Sequence, residues 1–100
     1  MRYLYVFGYQ TPPQLASSVD DEDSAAFFIE APSQAAALAW GREVSEKFVR
    51  DLHRNDEVSW KALDYAHWIE DLPSSRFTPA DLARLDTVSV GSYPDWSSWR

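Results

Sequence analysis

The stretch "DYAHWIED" places Asp64, His67, Glu70 and Asp71 close together, and it is the segment of this chain most suited to moving a proton. A histidine with a carboxylate at hand can serve as a general base. Whether the groups meet depends on the local backbone. In a strand, alternate side chains take opposite faces, so His67 shares a face with Tyr65 and Ile69 and points away from Asp64. In a helix, His67 and Asp64 stand one turn apart. The alternation, the aromatics and the stop at Pro73 favour the strand. His67 then reads as a core histidine hydrogen-bonded to its surroundings. If the domain binds a small molecule, Tyr65, His67 and Glu70 are its polar candidates, with Tyr5, Phe7, Trp68 and Trp96 as aromatic walls.

Other chemistries find less support. His53 stands near the end of a long helical pattern, where a cation is favourable against the helix dipole. Two histidines on separate elements give no metal-ligand spacing. The chain has no cysteine, which removes thiolate metal sites and disulfides and is compatible with a reducing cytoplasm. None of its three glycines builds a phosphate loop, and no serine lies in a Gly-x-Ser-x-Gly turn. No catalytic residue, metal ligand or cofactor is assigned on this reading.

The sharpest charged feature is "DDED", Asp20, Asp21, Glu22 and Asp23. It lacks the alternating oxygens, central glycine and closing glutamate of a calcium loop. It reads as a solvated loop, or as a recognition loop for a basic partner. Acidity is concentrated there and around the third strand: residues 1–31 and residues 55–73 each carry five acids against one base. The net charge of −7 argues against a nucleic-acid backbone or an anionic membrane as principal partner. No apolar run is long enough to span a bilayer.

The elements that position these groups follow from pattern. A chain of 100 residues, 45% hydrophobic, predicts one domain with its own core. "YLYVFGY" (Tyr3 to Tyr9) alternates rings with smaller residues and reads as a strand. "QTPPQLASSVDDEDS" reads as a long loop, and "AAFFIEA" (Ala25–Ala31) as a second strand, antiparallel to the first. A long helix follows, with Ser33 as N-cap and Leu38, Gly41, Val44, Phe48 and Leu52 on its apolar stripe. Glu43 with Lys47 and Glu46 with Arg50 form acid-before-base pairs on its solvated face. Gly41 in mid-helix implies close approach to a strand, since glycine there costs about 1 kcal/mol against alanine. "TPADLARL" is a second helix start with Thr78 as N-cap and Pro79 in the first turn. "TVSV" (Thr87–Val90) makes a final strand.

The order β-β-α-β-α-β predicts an α+β fold, a two-layer α/β sandwich of about four strands with two helices on one face. The second strand, the long helix and the third strand form a candidate parallel crossover. Leu4, Val6, Phe27, Ile29, Leu63 and Ile69 are assigned to the helix side. Tyr3, Tyr5, Phe7, Tyr9, Phe28 and Trp68 fall on the other, where so large a bare patch would be unusual for a monomer. The C-terminal tail with Tyr93, Trp96 and Trp99 is expected to cover the sheet; a second copy or a bound partner are the alternatives. By charge and size the chain suits a small acidic protein-interaction module, an immunity-type or inhibitor protein that meets a basic partner through Asp20–Asp23 and the aromatic face. A small-molecule-binding domain, enzymatic or not, is the alternative, and a homodimer-forming structural or regulatory domain is a third.

Overall fold

A computed structural model of the chain describes residues 1–16, 23–55, 57, 59–61, 65–70 and 77–96, the side chains of residues 15 and 16 excepted. Its elements are β1 (Arg2–Tyr9), α1 (Pro12–Ala16), β2 (Asp23–Glu30), α2 (Gln34–His53), β3 (His67–Glu70), α3 (Pro79–Ala83) and β4 (Thr87–Ser89). The fold is α+β, built on one four-stranded mixed sheet in the order β3-β1-β2-β4. β1 is antiparallel to both β2 and β3, whereas β4 runs parallel to β2. Because β2 and β3 both oppose β1, α2 joins two parallel strands, but it steps over β1 to do so.

α1 replaces the first part of the segment read as loop. Thr11 Oγ1 accepts from the Gln14 N–H, and the Gln14 side chain accepts from the Thr11 N–H at 2.8 Å. This is the reciprocal capping box of a helix start. Pro12 and Pro13, which suggest a break, instead occupy the first turn, where a missing N–H costs nothing.

α2 begins where the sequence places it. Ser33 has extended backbone angles, and its side chain accepts from the Ala36 N–H at 3.1 Å. The helix ends on Arg54 in the left-handed region at φ 52°, with the Arg54 N–H reaching back to the Asp51 carbonyl and the Asn55 N–H to the Arg50 carbonyl. Two such backbone bonds over a left-handed residue are a Schellman end.

The face assignment of β1 is corrected by its register. Tyr5 pairs with Phe27 and Phe7 with Ala25, so the rings of β1 share a face with Phe27 and Ile29. That face lies under α2: Tyr5, Phe7, Phe27 and Ile29 form one cluster with Ala37, Val44, Phe48, Val49 and Trp60. Leu4 and Val6 turn the other way and pack with Phe28, joined by Trp68, Phe77, Leu82 and Leu85. Phe27, Ile29, Ile69, Phe28 and Trp68 keep their expected sides; Leu63 lies outside the described residues. A strand apolar on both faces carries no polarity to set its register, and a one-residue slip exchanges every side chain. What covers the aromatic stripe is therefore α2, and the short α3 rests through Leu82 on the smaller cluster of the opposite face.

Close approach makes this cover possible. A Cβ added at Gly41 would fall closer than 3.0 Å to three ring carbons of Tyr5. Each fully buried ring contributes about 1.5–3 kcal/mol, against about 0.2–0.5 kcal/mol for a helix-surface ion pair. Ring burial, not charge, holds α2 to the sheet.

Candidate functional site

Where α2 crosses β3, a polar cluster is built into the aromatic core. The Tyr5 hydroxyl lies 3.1 Å from Ser45 Oγ and 3.2 Å from His67 Nδ1. Ser45 Oγ in turn donates to the Gly41 carbonyl at 2.8 Å. Tyr5 and Ser45 are both 0% exposed, and His67 is half-buried. A donor count orients the ring. The one hydroxyl proton of Ser45 goes to Gly41, so Tyr5 gives its proton to Ser45 and must accept from His67. His67 therefore carries a proton on Nδ1. Burial pushes the Tyr5 hydroxyl far above the ordinary tyrosine range, opposed in smaller measure by the Ser45 hydrogen bond and by the charge of Arg42. Tyr5 is thus a neutral donor at any ordinary pH.

Above this cluster opens a cleft of about 80 Å³ lined by Arg42, Trp60, Lys61, Tyr65 and His67. Trp60 forms one wall. Its indole N–H donates to the Gly8 carbonyl at 2.8 Å, and its ring meets that of His67 edge-on at 5.3 Å. Tyr65 is tied through its hydroxyl to Gln10 Oε1 at 2.6 Å. Glu46 holds the Trp60 segment against α2: its carboxylate accepts from the Trp60 N–H at 3.1 Å and from Ser59 Oγ at 3.3 Å. Glu46 also pairs with Arg50 at 3.5 Å, as its spacing predicts, yet it is only 8% exposed and not on a solvated face. Glu43 pairs with Lys61 at 2.6 Å, while Lys47 turns to Asp51 at 3.5 Å.

A second concavity lies across the outer side of α2, where the tail returns. It has about 290 Å³ of space lined by Glu43, Glu46, Lys47, Arg50, Asp51 and Tyr93. The tail is fastened by the Trp40 indole N–H, which donates to the Ser92 carbonyl at 2.8 Å. Tyr93 meets Trp40 at a tilt with ring centres 5.0 Å apart, and Trp96 meets Phe48 edge-on at 5.8 Å. Lys47 Nζ lies 5.7 Å from the centres of both tail rings.

The residues singled out by sequence are dispersed by this structure. Tyr5 and Phe7, expected on a partner-binding face, are 0% exposed and cannot touch a partner. Tyr65 and His67 do line one cleft, but Glu70 belongs to the opposite face of β3, where it accepts from the Trp68 indole at 3.2 Å. Trp96 sits on α2 as part of the tail. Asp23 opens β2, exposed, with Gln14 Nε2 at 3.4 Å from its carboxylate. Asp20, Asp21, Glu22, Asp64 and Trp99 lie outside the described residues. His53 Nε2 donates to the Gln10 carbonyl at 2.8 Å, a structural role. Arg42, Ser45 and Trp60 escape the sequence reading. Ser45 follows Gly41 by one helical turn on the stripe, which is the signal that could have revealed it.

Among the described residues no group of three or more histidine, cysteine or carboxylate side chains is placed to hold a metal. Among them, too, no helix is long and apolar enough to cross a membrane. No family model matches the chain, and comparison with curated proteins and with solved structures likewise returns no match.

Proposed function

We propose that this chain is a small acidic protein-interaction module, of the immunity or inhibitor type, that grips a basic partner across the outer side of α2. The reading rests above all on one observation: in the groove between α2 and the tail, the exposed carboxylates of Glu43 and Asp51 alternate with Lys47 and Arg50 beside the half-exposed ring of Tyr93. Aromatic anchors flanked by charge are the usual strong points of protein interfaces. An incoming lysine or arginine would take the place that Lys47 now holds beside the Tyr93 ring and the Asp51 carboxylate. The net charge of −7 supports long-range attraction of such a partner.

Capture from host lysate on the immobilised protein tests this, with the double variant Asp51→Lys, Tyr93→Ala run beside the natural chain. The expected outcome is one stoichiometric basic protein, retained at low salt, released at high salt and lost by the variant. Charge steering between exposed groups is screened beyond about 8–10 Å at physiological salt. Retention that ignores salt, or that survives the double substitution, would exclude the groove as the site.

A further inference from the structure

We infer that the cleft between α2 and β3 is a binding site for a small oxyanion, a carboxylate or phosphoryl group, with Arg42 as its principal ligand. This site does not depend on the docking reading above; the two concavities share no lining residue, and the Lys61–Glu43 pair joins a residue of each.

On a chain of net charge −7, this cleft is locally basic. Arg42, Lys61 and His67 line it, with no carboxylate among its described lining residues. Lys61 is engaged by Glu43, whereas Arg42 makes no ion pair among the described residues. A guanidinium fork matches the two oxygens of a carboxylate or phosphoryl group better than any other side chain does. Size narrows the ligand. About 80 Å³ is well short of the roughly 300 Å³ and more of pockets for drug-sized molecules, yet it exceeds the space of one water. The cleft takes a head group and not a whole cofactor.

The walls are held in place beforehand. Trp60 is pinned at both ends, by Glu46 on its backbone and Gly8 on its indole. The Tyr5–Ser45 pair holds His67 at Nδ1 and so fixes the orientation of its ring. These fixed groups lower the ordering cost of binding.

The test is a titration of the intact chain followed by ¹H–¹⁵N NMR, with sodium acetate, inorganic phosphate and acetamide as probes. Acetamide has the shape of acetate without its charge. The expected result is saturable shifts of the Trp60 indole and of His67 with acetate or phosphate and none with acetamide. The anion that saturates at lower concentration identifies the group as carboxylate or phosphoryl. Arg42→Gln, at an exposed helix position, should weaken binding by roughly tenfold or more, as expected for loss of a charge-assisted hydrogen bond. No saturable shift with either anion at millimolar concentration would overturn the inference. So would equal shifts with acetamide, or binding unchanged in Arg42→Gln.

Discussion

Tyr5 is the residue on which both the core and the candidate chemistry turn. Its ring fills the space that Gly41 leaves, and its hydroxyl joins Ser45 of α2 to His67 of β3. Tyr5→Phe keeps the ring but takes a hydrogen-bond partner from both Ser45 and His67. A loss of about 1–3 kcal/mol is expected in urea unfolding. The variant also carries a pH signature. The hydroxyl is held above its ordinary value of 10.0 by burial, so the folded state keeps the proton that the unfolded state gives up. Stability from this group is therefore complete below pH 10.0 and declines as the pH rises beyond it. The natural chain should lose stability more steeply than Tyr5→Phe across that alkaline range. Parallel curves would show that the buried hydroxyl contributes nothing to the linkage.

At the level of elements, the contact between α2 and β1 decides the fold's geometry. Gly41→Ala improves helix propensity by about 1 kcal/mol, yet the new methyl group meets the Tyr5 ring. Overpacking costs about 1–3 kcal/mol, so a net loss is expected, with the His67 resonances displaced as Tyr5 moves. A stabilised variant with unchanged His67 would mean that the helix stands farther from the strand. The ends of α2 are readable from Ser33 and from the turn at Arg54–Asn55, because caps are local chemistry. α1 is equally local, its Thr11–Gln14 box written in four consecutive residues, but a proline pair reads as a break as readily as a first turn. The ion pairs are less readable. Glu43 finds Lys61, eighteen residues on, in preference to Lys47 one turn away. That choice depends on where the Trp60 segment comes to rest.

For the whole molecule, the question is what covers the rings and what remains outside. α2 buries the aromatic face, so the premise that a second copy must cover bare rings falls away. The described part of the tail, up to Trp96, lies on the flank of α2, with Tyr93 against Trp40 and Trp96 against Phe48. Truncation after Val90 should lower the melting temperature and promote association, since Trp40 and Phe48 lose their covering rings. If the proposed docking reading holds, it should also abolish capture of a basic partner, because Tyr93 goes with it. A truncated chain that melts and elutes like the natural one would show that the clasp is dispensable.

By itself the sequence determined the fold class, the main helix with its cap, the pairing of the first two strands and the strand at His67. Each of these is encoded by neighbours or by a period of two or four residues. Tertiary structure alone decided which face of β1 is inward, because both faces are apolar and only the register to Phe27 separates them. It alone assembled Arg42, Trp60, Tyr65 and His67 around one cleft and set Glu70 apart from them. Those residues come from α2, a loop and β3, and no local period relates them. Their meeting follows from a helix that crosses a strand to reach the edge of the sheet.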